Sequence, residues 1–419
     1  MRGRISVPGD KSISHRALIL GMLAAGENRV RGWLPAGDTL ATLGAVRALG
    51  IDVLRENETS LRFQGGGLRE PAAPLDCVNA GTCMRLLAGA LVGQTFPSVL
   101  DGSPQLRRRP MARITGPLRA MGASISDTDG RAPLHIEPAP LHGHEHTLSV
   151  ASAQVKSAIL LAGLHAEGAT VVHEPGPSRN HTEVMLQAIG ADLKVDKHTV
   201  HLAAAQPRLE PLELDVPGDI SSAAFVLVAA ACLPGSDVVI EHVGLNPTRT
   251  GILEVLARMG SDVASTEREE SGGEPLGTLR IRGGDLRGVS LGGDLIVRAI
   301  DELPVIAVAA AQAAGETRIT VAAELRVKEV DRIAVVAQEL RKLGVQVSEQ
   351  PDGMVVEGGH PLKGTAVDSH GDHRIGMMLA VAGLFAEGET HIQNAGCIAD
   401  SFPGFAATLA ALGAEVRTA

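Results

Sequence analysis

Several features that whole classes of proteins depend on are scarce or missing in this sequence of 419 residues. It has no tyrosine, one tryptophan and six phenylalanines, so it offers few aromatic platforms on which nucleic acid bases could stack. A formal net charge of −10 at pH 7 also argues against a nucleic acid partner. We therefore expect a small-molecule ligand and no nucleic acid.

Cysteine and long apolar runs are limited as well. No apolar run reaches the roughly 18–20 uncharged residues of a membrane span, and the first residues lack the apolar region of a secretory signal. These absences predict a cytoplasmic protein with no membrane partner. The four cysteines form no C-x-x-C pair and show no zinc spacing, which predicts buried free thiols and no metal site: Cys77, Cys83, Cys232 and Cys397.

Two phosphate-binding motifs used by cofactor-dependent proteins are also missing. A nucleotide phosphate loop needs Gly directly before its Lys, whereas Asp10 precedes Lys11 here. No G-x-G-x-x-G motif opens a helix after a strand. The sequence therefore favours no nucleotide or dinucleotide cofactor.

One pattern is present six times. An apolar, alanine-rich run is followed by a second helical run that ends in a hydrophobic-Gly-x-x-hydrophobic signature. Successive signature glycines are 72, 68, 70, 84 and 69 residues apart: Gly50, Gly122, Gly190, Gly260, Gly344 and Gly413. So regular a period indicates one supersecondary unit copied six times, with buried and amphipathic helices alternating between strands.

The six copies divide naturally into two sets of three. The segment beginning Val7-Pro8-Gly9 closely resembles the one beginning Val216-Pro217-Gly218, which suggests two similar crossing points between two halves. We predict a first domain of residues 10–217 and a second domain of residues 1–9 and 218–419. We also predict a surface loop over residues 265–277 and an amphipathic helix over residues 328–343.

Polar residues gather where the apolar helices begin. Helix N-termini carry unpaired N–H groups and a partial positive charge, so several that converge would bind an anion. Lys11, Arg16 and Arg374 strengthen this interpretation, because a cation in the first turns of a helix opposes the helix dipole. The alternative is simple N-capping, worth ~1 kcal/mol for each of these residues: Ser152, Asp219, Asp301 and Asp372.

A second basic cluster opens the amphipathic run. On a helix, Lys328 and Arg332 would share a face, with Glu329 beside them. A carboxylate between two cations stays ionised and can move a proton. The alternative is an array of surface ion pairs, worth only a few tenths of a kcal/mol each. Concentrated basic sites on an acidic protein indicate a small, multiply charged anionic substrate.

Taken together, these segments resemble the 5-enolpyruvylshikimate-3-phosphate synthase family of enolpyruvyl transferases. The resemblance covers essentially the whole chain, in the family's order and spacing. It implies an α/β fold, a two-domain inside-out α/β barrel of six βαβαββ repeats with helix N-termini facing an interdomain cleft. The matching segments are residues 8–17, 79–82, 109–111, 152–154, 326–332 and 371–374.

The resemblance also implies an activity. The enolpyruvyl group of phosphoenolpyruvate would be transferred to the 5-hydroxyl of shikimate 3-phosphate, with release of phosphate and with no metal or organic cofactor. Asp301 would accept the hydroxyl proton, Glu329 would protonate the methylene carbon, and Lys11 would touch both substrates. We expect the protein to be a monomer. Asp400 stands where some members carry a Lys that contacts phosphoenolpyruvate.

Further site residues carry over by the same resemblance. Those implied to contact shikimate 3-phosphate are Lys11, Ser12, Arg16, Ser152, Ala153, Gln154, Ser178, Asp301 and Lys328. Those implied to contact phosphoenolpyruvate are Lys11, Asn79, Gly81, Thr82, Arg109, Gln154, Glu329, Arg332 and Arg374.

Two other functions stay open. An enolpyruvyl transferase that acts on UDP-N-acetylglucosamine shares the fold, but its pattern includes a loop cysteine as the acid. The corresponding stretch here, residues 103–109, contains no Cys. A non-catalytic repeat protein that binds phosphorylated metabolites is the second alternative, and it would not need Asp301 and Glu329 in addition to the cations.

Overall fold

A computed structural model of the protein describes residues 1–204 and 208–417. Within this part of the chain, no helix is long and apolar enough to span a membrane. Apolar helices lie at the centre of each repeat, and short strands and amphipathic helices surround them. The order of these elements follows the six-fold pattern in the sequence.

Each repeat contains one buried helix. These helices carry few charged residues, so packing against neighbouring elements is what removes their apolar side chains from water. In chain order they are α1 (Lys11–Leu23), α3 (Gly81–Leu91), α6 (Ala153–Gly163), α8 (Ile220–Cys232), α11 (Leu303–Gln312) and α13 (His373–Gly383).

The second helix of each repeat is followed by its signature glycine. These helices are α2 (Gly37–Ala48), α5 (Ala112–Ala120), α7 (His181–Ala188), α9 (Gly251–Arg258), α12 (Arg332–Lys342) and α14 (Phe405–Ala411). All six glycines have φ between +88° and +95°, a conformation in which a Cβ atom would be strained. The predicted six-fold repeat is therefore confirmed. Two short helices, α4 (Pro104–Arg107) and α10 (Asp294–Arg298), lie between the main ones.

Five repeats build a four-stranded sheet, in which one edge pair is parallel and the next pair is antiparallel. In spatial order, the first three sheets are β13 (Glu213–Asp215), β2 (Gly26–Arg31), β4 (Leu61–Gly65), β3 (Val53–Arg55); β5 (Leu75–Asp76), β6 (Ser98–Asp101), β8 (Arg131–Glu137), β7 (Ser124–Thr128); and β9 (Glu145–Thr147), β10 (Thr170–His173), β12 (Thr199–Leu202), β11 (Leu193–Asp196).

The remaining strands belong to the second set of repeats. Two more four-stranded sheets are β1 (Arg2–Ser6), β14 (Asp237–Gly244), β16 (Glu274–Arg282), β15 (Asp262–Ser271); and β17 (Ser290–Leu291), β18 (Glu316–Ile319), β20 (Gly353–Glu357), β19 (Gln346–Gln350). The sixth repeat has two parallel pairs instead, β21 (Leu362–Lys363) with β23 (Ala386–Glu387), and β22 (Ala366–Asp368) with β24 (His391–Gln393).

Two strands pair with a sheet far from their neighbours in sequence. β1 precedes α1 but pairs with β14, and β13 precedes α8 but pairs with β2. The contacts accordingly divide the chain into two compact units. The N unit comprises Gly9–Val216 and Glu270–Glu274, and the C unit comprises Met1–Pro8, Pro217–Glu269 and the chain from Pro275 onward. Each unit has its own apolar core.

Two local predictions were wrong. Residues 265–277 form most of the β15–β16 hairpin and not a loop, because the backbone pairs as strands while most of the polar side chains stay exposed. The helix predicted from residue 328 begins only at Arg332, because Asp331 caps it by accepting a hydrogen bond from Ala334 N at 3.1 Å. Lys328 therefore does not share a helix face with Arg332.

Candidate functional site

The first predicted site residues open α1 in the N unit. Asp10 caps the helix by accepting a hydrogen bond from Ile13 N at 2.9 Å, which places Lys11 in the first turn. Lys11 Nζ lies 3.1 Å from Asp38 Oδ2, and both side chains are partly exposed. One turn later, Arg16 Nη1 donates to the carbonyl oxygen of Ser12 at 3.0 Å. The predicted i, i+4 relationship of Ser12 and Arg16 is present.

Arg16 is buried and held by two hydroxyls from other helices. Its Nε donates to Thr182 Oγ1 at 2.7 Å, and its Nη2 donates to Ser157 Oγ at 2.9 Å. Burial lowers the pKa of Arg16 to about 10, and the nearby Glu183 carboxylate opposes that shift. The guanidinium thus stays cationic at neutral pH in a fixed orientation.

The first turns of α3 and α6 meet through side chains. Gln154 Nε2 donates to Thr82 Oγ1 at 2.8 Å, and Arg85 donates to Gln154 Oε1. Since Thr82 and Gln154 each sit in the first turn of their helix, the two N-termini lie close together. The N–H groups of both termini can act on one anion.

Gly81 and Arg109 are also neighbours. An ideal Cβ atom on Gly81 would lie 2.8 Å from Arg109 Nη1, so the guanidinium packs directly against this glycine. Asn79, just before α3, is exposed and accepts a hydrogen bond from Ser103 Oγ. With Thr82, the structure therefore places four of the residues implied for phosphoenolpyruvate around the start of α3.

The other predicted residues of this unit lie at the start of α6 and in the segment that precedes α7. Ser152 occupies the N-cap position, but its side chain makes no capping hydrogen bond, and Ala153 is the first helical residue. Ser178 is buried, and its hydroxyl has no hydrogen-bond partner within residues 1–204 and 208–417. Capping therefore does not account for Ser152.

In the C unit, Arg332 is the centre of an ion-pair network. It is 1% exposed, and its Nε donates to Asp372 Oδ2 at 2.8 Å. Its Nη2 donates to Glu329 Oε2 at 2.7 Å, and its Nη1 lies 3.3 Å from Asp301 Oδ1. Burial opposes its charge, but Asp372, Glu329 and Asp301 together raise the pKa of Arg332 above its usual value.

Asp301 receives three cations. Lys328 Nζ lies 3.7 Å and Arg332 Nη1 lies 3.3 Å from Asp301 Oδ1, and Arg374 Nη2 lies 3.4 Å from Oδ2. Opposite charges at these distances favour the ionised carboxylate. Glu329 joins this group through its ion pair with Arg332. The structure thus brings together the five site residues predicted for this half of the chain.

The capping predictions had mixed outcomes. Asp219 accepts from Ser221 N at 2.8 Å, and Asp372 accepts from Arg374 N at 2.8 Å, so the capping alternative holds for both. Asp301 is not a cap, because Glu302 occupies that position of α11 and Asp301 lies one residue earlier. Its carboxylate lies beside three cations, Lys328, Arg332 and Arg374.

Several charged residues near these clusters were not predicted. Arg85 could have been found from its i, i+3 spacing to Thr82. No local signal indicates that Glu274 accepts a 2.7 Å hydrogen bond from His181, 93 residues away, or that Arg249 lies 3.0 Å from Asp219. Among the described residues, no group of three or more His, Cys, Asp or Glu side chains is arranged to hold a metal ion.

Comparisons with known proteins agree with this geometry. Residues 1–409 match the family model described as EPSP synthase (3-phosphoshikimate 1-carboxyvinyltransferase). A relative in Acidithiobacillus ferrooxidans named 3-phosphoshikimate 1-carboxyvinyltransferase is 53% identical over 411 residues, which are 97% of this chain and 94% of the relative.

Solved structures point in the same direction. The EPSP synthase of Acinetobacter baumannii matches with a TM-score of 0.89 and 43% identity, over 99% of this chain and 96% of that one. The enolpyruvyl transferase NikO of Streptomyces tendae shares the fold, with a TM-score of 0.81 and 19% identity over 99% and 95% of the two chains. The predicted fold class, a two-domain inside-out α/β barrel, is confirmed.

Proposed function

Because the chain belongs to the EPSP synthase (3-phosphoshikimate 1-carboxyvinyltransferase) family, we propose that it transfers the enolpyruvyl group of phosphoenolpyruvate to the 5-hydroxyl of shikimate 3-phosphate. Inorganic phosphate is the second product. The observation that carries this proposal is the Asp301 carboxylate with its three cations, at 3.3, 3.4 and 3.7 Å. A residue that only capped a helix would not need that environment.

Shikimate 3-phosphate is assigned mainly to the N unit. Arg16, held by Thr182 and Ser157, offers a fixed cation, and Ser12 lies one turn before it. The start of α6 adds backbone N–H groups together with Ser152, Ala153 and Gln154. Ser178, in the segment before α7, is assigned to the same phosphate by the family resemblance. A buried serine hydroxyl such as that of Ser178 is well suited to meet a phosphate oxygen.

The family resemblance implies that phosphoenolpyruvate meets three arginines, Arg109, Arg332 and Arg374. Arg332 and Arg374 lie 3.3 and 3.4 Å from Asp301, and Arg109 packs against Gly81. Lys11 and Gln154 serve both substrates. The two substrates together carry about six negative charges, so preorganised cations must offset their repulsion before the reacting atoms can meet.

The two carboxylates divide the proton transfers. Asp301 accepts the proton of the 5-hydroxyl as its oxygen attacks C2 of phosphoenolpyruvate. Glu329, in its protonated form beside another terminal nitrogen of Arg332, delivers its proton to the methylene carbon C3. The resulting Glu329 carboxylate then takes a proton from C3 of the tetrahedral adduct as phosphate leaves, which restores the enolpyruvyl double bond in the product.

Phosphate release tests the proposal against its alternatives. The purified protein is mixed with phosphoenolpyruvate and either shikimate 3-phosphate or UDP-N-acetylglucosamine. We expect phosphate only with shikimate 3-phosphate. Release with the nucleotide sugar alone would support the other transferase, which neither the family match nor the absence of Cys from residues 103–109 favours. Binding without release would support the non-catalytic protein.

We also propose that the enzyme acts as a monomer in the cytoplasm. The family resemblance supports these two predictions. Sedimentation equilibrium should give one species near 43.4 kDa with and without both substrates. Cell fractionation should recover the protein with cytoplasmic markers.

A further inference from the structure

Asp301 is followed by a second carboxylate that enters a different network. Glu302 occupies the N-cap position of α11 and is 0% exposed. Its Oε1 accepts a hydrogen bond from the hydroxyl of Ser221, in the first turn of α8. Adjacent carboxylates thus serve two purposes, since Asp301 faces the cations while Glu302 ties α11 to α8.

The link continues to a buried arginine. Arg249 Nη2 donates to Ser221 Oγ at 2.8 Å and lies 3.0 Å from Asp219 Oδ1. Arg249 and Ser221 are each 2% exposed. Asp219 Oδ1 also caps α8 by accepting from Ser221 N at 2.8 Å. The hydroxyl of Ser221 therefore has one defined direction, receiving from Arg249 and donating to Glu302.

We propose that Arg249, Ser221 and Glu302 form a buried support that fixes the backbone from which Asp301 projects, so that Ser221 is a positioning residue for the proposed transfer. None of these three side chains needs to touch a substrate. Because α8, α11 and the loop bearing Arg249 are tied at one point, the start of α11 cannot shift without breaking buried hydrogen bonds to charged groups. This inference rests on the proposed function.

The physical consequence is a requirement on the geometry of one carboxylate. Asp301 must keep its distances to three cations while it faces the attacking hydroxyl. A misplacement of about 1 Å can cost on the order of a hundredfold in rate. A support that acts on orientation alone should therefore affect kcat and leave substrate binding nearly unchanged.

The test is Ser221→Ala, which removes the hydroxyl and little volume. We expect kcat to fall about tenfold or more, with KM for both substrates within about twofold of wild type. A matched control is Ser236→Ala, a buried serine beyond the other end of α8 whose hydroxyl accepts from the terminal amine at 3.0 Å. We expect its kcat to be unchanged.

A second variant separates position from charge. Glu302→Gln keeps an oxygen that accepts from Ser221, so kcat should stay within about threefold of wild type. If Glu302→Gln lowered kcat as much as Ser221→Ala does, the proposal would be overturned. A wild-type kcat in Ser221→Ala would also overturn it. If the wild-type protein itself releases no phosphate, the proposed function fails, which is a different result from an active wild type with an indifferent Ser221.

Discussion

Arg332 Nε donates a hydrogen bond to Asp372 Oδ2 at 2.8 Å, with the two side chains 1% and 0% exposed. The first residue of α12 thus forms an ion pair with the N-cap residue of α13. The same guanidinium contacts Asp301 and Glu329, the two carboxylates assigned to proton transfer. One buried cation therefore contacts both of the groups assigned to proton transfer.

Replacing Arg332 should cost both activity and stability. Arg332→Ala leaves the buried Asp372 carboxylate without its partner, and breaking a buried ion pair in this way destabilises by about 3–5 kcal/mol. We expect turnover to be lost as well. Urea unfolding and a phosphate-release assay measure the two effects. An unchanged unfolding midpoint would contradict the central position of Arg332 in this network.

Replacing Lys11 should abolish turnover but change stability little, as measured by the same unfolding and phosphate-release assays. Its ion pair with Asp38 is partly exposed, at 14% and 21%, so Lys11→Ala should change the free energy of unfolding by about 1 kcal/mol or less. Turnover should nevertheless be abolished, because Lys11 is assigned to both substrates. Substantial activity in this variant would show that Lys11 is not needed to bind the substrates.

Asp301→Asn should affect chemistry more than binding. The amide cannot accept the hydroxyl proton, so we expect kcat to fall by about 10²–10⁴-fold. Isothermal titration should show less than about a tenfold change in affinity for shikimate 3-phosphate. Asp331→Asn is a suitable control, since Asn also caps helices well and kcat should stay near wild type. A larger effect on affinity than on kcat would count against Asp301 as the base.

Gly81→Ala tests the contact with Arg109. The added Cβ would lie 2.8 Å from Arg109 Nη1, so the guanidinium must move away from the start of α3. Loss of one hydrogen bond to a charged group corresponds to about a tenfold or greater rise in KM for phosphoenolpyruvate. Gly116→Ala is the matched control, because nothing lies within 4 Å of its ideal Cβ. Equal KM values for phosphoenolpyruvate in the two variants would show that Arg109 does not bind this substrate.

His15 should make stability fall as the pH is lowered. Burial lowers the pKa of His15 from 6.5 to about 3, against the opposing charge of Asp38. The unfolded chain takes up a proton below pH 6.5 while the folded protein does not, so stability is lost between about pH 6.5 and pH 3. The loss between pH 7 and pH 5 should be about 2 kcal/mol from this residue.

Urea unfolding at both pH values checks this pH dependence. His15→Gln should lose less stability than wild type between pH 7 and pH 5. His360→Gln, at an exposed position, should lose as much free energy of unfolding as wild type between these two pH values. If His15→Gln lost as much free energy of unfolding as wild type, His15 would not be the source of this pH dependence.

Much of the local structure follows from residues close together in the chain. Asp10, Asp219, Asp331 and Asp372 cap helices through bonds to residues two or three positions ahead. The six signature glycines adopt positive φ because the left-handed turn after each helix disfavours a Cβ atom. Short-range interactions of this kind are readable from spacing, and so are the family's contiguous motifs.

The partners of the charged side chains were decided only by the tertiary structure. Arg16 meets Thr182 across 166 positions and Arg332 meets Asp372 across 40. No local pattern contains these pairs, because they depend on how packed helices and sheets bring distant turns together. The sequence by itself determined six repeats, their helices and the candidate cations. Packing decided that Asp301 faces cations while Glu302 faces Ser221, since burial leaves each carboxylate only the partners that neighbouring elements supply.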